Sequence, residues 1–278
     1  MATVGRDFGL RIDPTQRPRH NAPMAKTAPY YAPGSLSAAH YDLVTAADPR
    51  LGEDEALYAA LAPAGGRILE LGAGSGRLTA GLAGRGFAVT GVDIAPAMLA
   101  QAEARVAALP AETRVRITLR RGDMTALDLK QVFDLVICPY FTLAHVPAGA
   151  AWRNTFAVAA RHLPSDGLAA FHLPRLETMR AIGPAEPERP VFSQPLPDGG
   201  RLVLFVKERT FKDAVGRLEQ VLEYVETDET GRPVRRSPER LTYYMADPVP
   251  LAAAAGLILD REPVEIGGIG DLWVFRKG

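Results

Sequence analysis

The sequence predicts an α/β fold with a doubly wound, mostly parallel sheet. A glycine-rich turn directly follows an apolar strand, and further apolar strands then alternate with helical patterns. After Pro174 the alternation gives way to a β-rich segment, which predicts an insertion following the fifth strand. The chain has 278 residues, enough for one large α/β domain with such an insertion.

The first strand and its turn are the most informative part of the chain. Residues 67–76 read Arg-Ile-Leu-Glu-Leu-Gly-Ala-Gly-Ser-Gly, with glycines at the alternate positions Gly72, Gly74 and Gly76, and a helical pattern follows over residues 77–85. Glycine is favoured where the backbone takes a left-handed conformation or touches a ligand closely. Because such a turn gathers N–H groups at the carboxyl end of a strand, it predicts a nucleotide site.

Acidic residues follow the next strands at regular spacing. The second apolar run ends in Asp93, about 20 residues after Gly72, where a carboxylate can accept hydrogen bonds from both ribose hydroxyls. A third strand over residues 115–119 precedes Gly122-Asp123-Met124, and a fourth covers residues 132–138. Chance agreement of all these features is improbable, so they favour a nucleoside-binding core.

The remaining elements complete the predicted order. Helices are expected over residues 36–47, 53–61, 95–109, 148–162 and 248–255, and the fifth strand over residues 167–173. Strand-like runs cover residues 201–210, 217–227 and 240–246, residues 181–200 resemble a loop, and residues 256–259 and 272–275 form a closing pair. We therefore divide the chain into an irregular extension (1–35), a core (36–180 and 247–278) and a β-rich insertion (181–246).

Composition narrows the functional classes. The chain has 32 basic and 32 acidic residues, which gives no electrostatic reason to bind nucleic acid or an anionic membrane. It lacks both a run of about 18 apolar residues and an N-terminal apolar signal core, so a cytoplasmic location is expected. One cysteine excludes an intramolecular disulfide, and no His/Cys spacing predicts a metal site.

The turn resembles that of the class I S-adenosylmethionine-dependent methyltransferases. Their acidic residue followed by Gly-x-Gly-x-Gly matches Glu70-Leu71-Gly72-Ala73-Gly74-Ser75-Gly76, whereas a dinucleotide-binding dehydrogenase more often has Gly-x-Gly-x-x-Gly. The resemblance covers residues 36–175 well and the C-terminal end loosely. It implies a seven-stranded, Rossmann-like methyltransferase fold, with S-adenosylmethionine as cofactor and S-adenosylhomocysteine as product.

The resemblance also assigns roles to individual residues. Glu70 would orient the amino end of the methionine moiety, Asp93 would hold the ribose and Asp123 the adenine amino group. The full cofactor-binding set that it implies is Glu70, Gly72, Ala73, Gly74, Gly76, Asp93, Ile94, Met98, Asp123, Met124 and Tyr140. Among these, Ile94 would pack on the adenine ring, and Tyr140 would face the methyl donor.

Two short motifs resemble those of sugar N,N-dimethyltransferases and glycine-type N-methyltransferases. Tyr41 lies in Ala-His-Tyr-Asp (residues 39–42), and His145 lies in Phe-Thr-Leu-Ala-His-Val (residues 141–146). The resemblance gives Tyr41, Tyr140 and His145 catalytic roles, and it places Tyr41 and His145 against the substrate. Arg175, two residues after the fifth strand, is expected at the carboxyl edge of the sheet, where it contacts the substrate by pairing with an acidic acceptor or is a surface guanidinium. His145 is a candidate base, or it only hydrogen-bonds the loop or closes over the acceptor.

The leading functional hypothesis is N-methylation of an amino sugar or amino acid by in-line displacement. O-methylation of a small metabolite and a non-catalytic S-adenosylmethionine-binding protein are the alternatives. An RNA methyltransferase is disfavoured, because Cys138-Pro139-Tyr140-Phe141 stands where the Asn/Asp-Pro-Pro-Tyr/Phe signature is expected. The insertion is expected to cover the acceptor or to form a homodimer interface. The pair Tyr30-Tyr31 belongs to an irregular extension or folds over the active site.

Overall fold

The computed structural model describes residues 27–48 and 54–278. Its strands are β1 (Ala28–Pro29), β2 (Arg67–Leu71), β3 (Ala88–Asp93), β4 (Ile117–Arg121), β5 (Leu135–Cys138), β6 (Leu168–Pro174), β7 (Pro190–Pro195), β8 (Arg201–Lys212), β9 (Arg217–Thr227), β10 (Pro233–Tyr244), β11 (Leu257–Leu259), β12 (Val264–Ile266) and β13 (Gly270–Lys277). Its helices are α1 (Leu36–Ala39), α2 (Tyr41–Ala46), α3 (Asp54–Ala59), α4 (Arg77–Gly84), α5 (Pro96–Ala107), α6 (Ala111–Arg114), α7 (Ala150–Arg161), α8 (Leu176–Ala181) and α9 (Pro248–Ala253). The first 26 residues of the predicted extension lie outside the described part.

The main sheet is mixed. Strands β6-β5-β2-β3-β4 are parallel neighbours, β13 pairs antiparallel with β6, and both β11 and β12 pair antiparallel with β13. The predicted α/β core is confirmed, but the expected count of seven strands is not, because β12 adds an eighth strand among the described residues. The extra pairing follows from Gly267 and Gly268, whose φ angles of 63° and 75° allow a tight turn between β12 and β13.

The central strand β2 explains why the sequence signal is strongest there. It lies between β3 and β5, and Ile68, Leu69 and Leu71 are completely buried, since apolar clusters cover both faces of the sheet. The chain passes from β2 through β3 to β4 and then crosses back to β5 on the other side of β2. This reversal opens a crevice at the carboxyl ends of β2 and β5, where open α/β sheets bind ligands.

The insertion and β1 of the N-terminal extension form a second sheet with the order β1-β10-β9-β8-β7. Its long strands are antiparallel, whereas the two residues of β1 pair in parallel with β10. The prediction of a loop over residues 181–200 was wrong in part, because Pro190–Pro195 form β7. That strand lies at the edge of the sheet, where proline is tolerated because an edge strand has unpaired N–H positions.

Several boundaries differ from the predicted ones for local reasons. The single helix expected over residues 36–47 is broken at His40 (φ −113°, ψ 21°), whose Nε2 lies 2.6 Å from Glu226 Oε1 of β9. Strand β4 begins two residues later than expected, because α6 takes the preceding segment and Val115 caps it. Strand β10 begins at Pro233, seven residues before the predicted start at residue 240, because it continues its ladder with β9 nearly to the turn.

None of the helices in the described ranges has the length and hydropathy needed to cross a bilayer. The longest, α5 and α7, have 12 residues each.

Candidate active site

A cavity of about 570 Å³ lies between the carboxyl edge of the main sheet and the insertion. Its volume is in the range of small-molecule sites. The wall is formed by residues 27–31, by the glycine turn, by the chain just after β3, β4 and β5, and by β10. The predicted site residues that line it are Tyr41, Gly72, Gly74, Asp93, Ile94, Met98, Asp123, Met124, Tyr140 and His145. We call the part lined by the glycine turn and Asp93 the nucleoside half, and the part lined by aromatic rings the aromatic half.

The glycine turn needs its glycines for two different reasons. Gly72 has φ 79°, and a Cβ there would lie 2.2 Å from Thr142 Cγ2, so the residue allows close approach of the loop after β5. Gly76 lines no part of the cavity, and a Cβ on it would lie 3.0 Å from Ala102 Cβ of α5. Gly76 therefore permits helix packing behind the turn. Ala73 is likewise buried behind the cavity, with its N–H bonded to the Val92 carbonyl at 2.9 Å.

The carboxylate of Asp93 is held by the backbone. Its Oδ2 accepts a hydrogen bond from Gly74 N and its Oδ1 accepts one from Ala95 N, each at 2.8 Å. Burial nevertheless raises the pKa of Asp93 above its ordinary value, because desolvation outweighs these bonds. Each oxygen keeps a lone pair, so the carboxylate is positioned to accept from two neighbouring hydroxyls.

Apolar and acidic groups complete the nucleoside half. Ile94 lines the cavity and is 62% exposed, so its side chain is free to cover a flat ring. Met98 is buried on the floor of the cavity beside Gly74, and Met124 is half-buried. Asp123 Oδ1 accepts from the N–H and the hydroxyl of Thr125, both at 2.8 Å, which stabilises the turn after β4 and leaves Oδ2 available.

Glu70 lies deeper than predicted. It is 2% exposed, is not part of the cavity wall, and accepts a hydrogen bond from the Thr79 hydroxyl. Burial raises its pKa to about 8. At neutral pH the side chain is therefore largely protonated, and a cation brought next to it would favour the ionised form.

The aromatic half contains rings that are distant in sequence. Tyr30, Tyr31 and His145 contact one another, with ring centroids 4.1 Å apart between the tyrosines and 6.1 Å and 5.9 Å from the imidazole. Tyr41 packs edge-on against Tyr31 at 5.6 Å. Of the two predicted alternatives for Tyr30 and Tyr31, an irregular extension or a segment over the active site, the structure has the second, with both residues lining the cavity.

The loop after β5 positions both Tyr140 and His145. Tyr140 and Phe141 have φ angles of 45° and 62°, a left-handed conformation that is strained for non-glycine residues and is common at functional sites. The Tyr140 hydroxyl donates to Asp48 Oδ2 at 2.9 Å. His145 ends a 3₁₀ turn, and burial lowers its pKa to about 4, so the imidazole is neutral at pH 7.

Arg175 lies away from the cavity. Its Nε donates to both oxygens of Asp271 at 2.8 Å and 2.9 Å, and its Nη1 donates to Glu265 at 2.5 Å. The guanidinium thus joins β6 to the β12–β13 hairpin and has no place in the cavity wall. Sequence reasoning placed Arg175 at the correct sheet edge but had no means of detecting its two acidic partners.

Sequence reasoning also missed several lining residues. Thr142, Val146, Arg240 and Thr242 are among them, together with Thr27, Ala28 and Pro29. Thr142 and Val146 lie within the motif around His145, so their spacing carried a usable signal. Arg240 and Thr242 reach the cavity because Pro29 pairs with Arg240, and that register is a tertiary feature.

A closed hydrogen-bonded ring fastens α2 to the glycine turn. Asp42 Oδ1 accepts from the Ser75 hydroxyl and Asp42 Oδ2 accepts from Arg105 Nη2, each at 2.5 Å, while Arg105 Nε donates to the Ser75 carbonyl at 3.0 Å. The neighbouring ring of Tyr41 lies 3.8 Å from the position of a Gly74 Cβ. Asp42 thereby fixes Tyr41 against the turn.

Comparisons with known proteins agree with this geometry. A family model described as a methyltransferase domain matches residues 68–167. A curated protein from Geobacillus sp. (strain WCH70), which carries a provisional methyltransferase name, is 37% identical over 105 residues. That match spans 38% of this chain and 41% of the relative's length.

Solved structures extend the likeness to the whole fold. The CcbJ methyltransferase of Streptomyces caelestis has a TM-score of 0.70 at 22% identity, covering 90% of this chain and 98% of its own. CalS10 of Micromonospora echinaspora, described as an amino pentose methyltransferase and solved with S-adenosylmethionine bound, has a TM-score of 0.63 at 25% identity, covering 85% and 97%. Residues 68–167 therefore match a methyltransferase domain, and the chain shares the fold of these solved methyltransferases.

Proposed function

We propose that this protein methylates the nitrogen of a small aliphatic amine with S-adenosylmethionine as cofactor, and that the amine belongs to an amino sugar or an amino acid. The observation that carries the proposal is the continuity of the cavity. One space joins the glycine turn and Asp93 to a group of aromatic rings that includes a neutral histidine. The likeness to an amino pentose methyltransferase supports the substrate class.

The nucleoside half fits the cofactor. Asp93 would accept from the two ribose hydroxyls, Ile94 and Met98 would cover the adenine, and Oδ2 of Asp123 would accept from its amino group. Gly74 has no Cβ, which leaves room between Met98 and Tyr41 for the methionine chain. Glu70 would act from behind the turn, where a nearby ammonium group would ionise it.

When bound, the cofactor would supply an activated methyl group. The amine lone pair would form the new C–N bond, the electrons of the S–C bond would stay on sulfur, and the product ammonium would lose its extra proton to water. The protein contributes alignment and exclusion of water, which can lower such a barrier by roughly 7–11 kcal/mol. Tyr41 would orient the donor end, and Tyr140, held by Asp48, would orient the acceptor.

The pKa of His145 favours nitrogen over oxygen. With a pKa of about 4, the imidazole is too weak a base to ionise an alcohol, whereas an aliphatic amine can lose its proton to water before the site closes. His145 would then accept a hydrogen bond from the amine. One observation favours the O-methylation alternative. The Tyr140 hydroxyl is hydrogen-bonded to the Asp48 carboxylate, which can take up the proton of an alcohol acceptor through that hydroxyl.

Turnover with matched acceptor pairs tests the proposal. The protein is incubated with S-adenosylmethionine and with amino sugars or amino acids, each paired with the analogue in which a hydroxyl replaces the amine. We expect S-adenosylhomocysteine and an N-methyl product from at least one amine, with its hydroxyl partner inactive. Methylation of the hydroxyl partner would overturn nitrogen transfer. Tight S-adenosylhomocysteine binding without turnover across the whole panel would favour the non-catalytic alternative.

The ring around Asp42 gives a second expected result. Replacing Asp42 with Ala leaves the Ser75 hydroxyl and Arg105 without their shared acceptor, so the turn and Tyr41 lose a common anchor. We expect S-adenosylhomocysteine to bind roughly tenfold more weakly. Hydrogen bonds to a charged group are worth about 1.5–3 kcal/mol, and water that replaces the lost carboxylate offsets part of this loss. Calorimetric titration measures this, and Asp42→Asn should recover part of the affinity. The exposed Glu103→Gln on the same helix as Arg105 is the control, and equal weakening in both variants would contradict the role of Asp42.

A further inference from the structure

Five consecutive residues near the N-terminus, 27–31, contribute to the wall of the cavity. Thr27, Ala28, Pro29, Tyr30 and Tyr31 all line it in succession. No part of the resemblance to known methyltransferases assigns a role to Tyr30 or Tyr31. Both rings nevertheless line the aromatic half of the cavity, against His145.

The backbone is shaped to bring these two rings together. In extended chain, neighbouring side chains point to opposite faces. Tyr31 instead has φ 59°, a left-handed conformation that costs a tyrosine free energy and persists only where the surroundings enforce it. The turn places both rings on one side, with centroids 4.1 Å apart.

Separate contacts hold the turn in place. Tyr30 N donates to the Arg240 carbonyl at 3.2 Å, and the Tyr31 N–H donates to the Ser37 hydroxyl at 3.0 Å. The hydroxyls of Tyr30 and Tyr224 are hydrogen-bonded at 3.1 Å, and Tyr224 is buried in the insertion sheet. The rings are therefore fixed in position, with their conformational entropy already lost before a ligand binds.

The rings around His145 carry no formal charge. Burial raises the pKa of both Tyr30 and Tyr31 well above the ordinary tyrosine value, so their hydroxyls stay protonated. His145 is flanked by Tyr243 on a further side, with centroids 5.0 Å apart. Such neutral, electron-rich ring faces suit a weakly hydrated organic cation.

We propose that Tyr30, Tyr31 and His145 form a cation-binding aromatic group that recognises the alkylammonium end of the acceptor. This inference rests on the proposed N-methylation and adds to it: the acceptor is an aliphatic amine that arrives as a cation or leaves as one. Tyr30 and Tyr31 determine that specificity. Hydroxyl acceptors and weakly basic aromatic amines, which carry no positive charge, gain nothing from these rings.

Choline and 3,3-dimethylbutan-1-ol test the proposal, because they have the same shape and differ in the charged nitrogen. Each is titrated by NMR into the full-length protein saturated with S-adenosylhomocysteine, which lacks the positive charge of the methyl donor. We expect choline to bind about tenfold more tightly than the neutral alcohol. The ratio should fall to near one in Tyr31→Leu and Tyr30→Leu, and Tyr31→Phe should restore it because the ring face is kept.

Controls separate this role from a structural one. Tyr244 ends β10 and is not part of the cavity wall, so Tyr244→Leu should leave the ratio of choline to alcohol affinity unchanged. The thermal midpoint and the S-adenosylhomocysteine affinity are measured on every variant, so that a misfolded sample is recognised. Tyr30→Phe removes the hydroxyl that bonds to Tyr224 but keeps the ring, so it should retain the ratio.

Two outcomes would overturn the proposal. Equal binding of choline and the alcohol by the native protein would show that the rings do not select a cation. Loss of S-adenosylmethionine affinity in the leucine variants, with S-adenosylhomocysteine affinity kept and the choline ratio unchanged, would assign the rings to the sulfonium of the donor. Failure of the proposed function is distinguishable, because it would appear as absent S-adenosylhomocysteine binding or as the lack of an N-methyl product in the turnover assay, whatever the choline ratio.

Discussion

The Asp93→Ala variant is expected to bind S-adenosylhomocysteine about 100- to 10,000-fold more weakly than the native protein. Two hydrogen bonds from ribose hydroxyls to a carboxylate would be lost, each worth about 1.5–3 kcal/mol. The carboxylate also holds Gly74 N and Ala95 N, so its removal loosens the turn that receives the ligand. Isothermal titration calorimetry measures the affinity directly.

Two further variants serve as comparisons for Asp93→Ala. Asp93→Asn keeps the size of the side chain and one acceptor oxygen, so its affinity should lie between those of the native and alanine proteins. Asp128→Ala removes an exposed carboxylate in the loop between β4 and β5, and should bind like the native protein. Affinity of Asp93→Ala within threefold of the native value would refute the ribose assignment.

The second large effect concerns stability and pH. Burial raises the pKa of Glu70 to about 8 in the ligand-free protein, from an ordinary value of 4.5. Between these values the folded state binds more protons than the unfolded state, so the free energy of unfolding falls as the pH rises. At about 1.4 kcal/mol per pKa unit, the loss contributed by Glu70 between pH 4.5 and pH 9 is roughly 3–5 kcal/mol.

Glu70→Gln should remove most of this dependence. The amide stays neutral and can still accept from Thr79, so the variant should match the native protein near pH 4.5 and be more stable at pH 9. Urea denaturation at both pH values gives the two differences. The raised pKa of Asp93 acts in the same direction but is present in both proteins, so the comparison isolates Glu70. The exposed Glu103→Gln serves as a control, and parallel pH profiles for native and Glu70→Gln proteins would contradict the buried, protonated state.

The nucleoside half could be predicted because its signals are local. Gly72 and Gly74 follow their strand directly, and Asp93 ends the next strand, so the distance along the chain fixes their distance in space once β2 and β3 pair. The methyltransferase domain and the cofactor class follow from this short stretch, and the family match covers the same region. Gly76 shows the limit of such reasoning, since its glycine is needed for contact with α5 and lies behind the cavity.

The insertion could be predicted only in outline. Alternating apolar residues and turns indicated its long strands, but not β7. The prolines of β7 are tolerated because it is an edge strand, and which strand lies at the edge depends on how the strands pair in the folded protein. The salt bridges of Arg175 were equally out of reach, because Asp271 and Glu265 are far away in sequence and meet it through the β6–β13 pairing.

The sequence by itself determined that the chain has an α/β core with a glycine turn, a ribose-type acid and a methyltransferase motif, because backbone conformation and strand order are encoded in neighbouring residues. The tertiary structure alone decided the aromatic half. Tyr30 and Tyr31 reach His145 because β1 pairs with β10 and Tyr31 takes a left-handed turn, neither of which any local pattern specifies. The buried environments that protonate Glu70 and keep His145 neutral are likewise created by packing, since desolvation is a property of the folded surroundings.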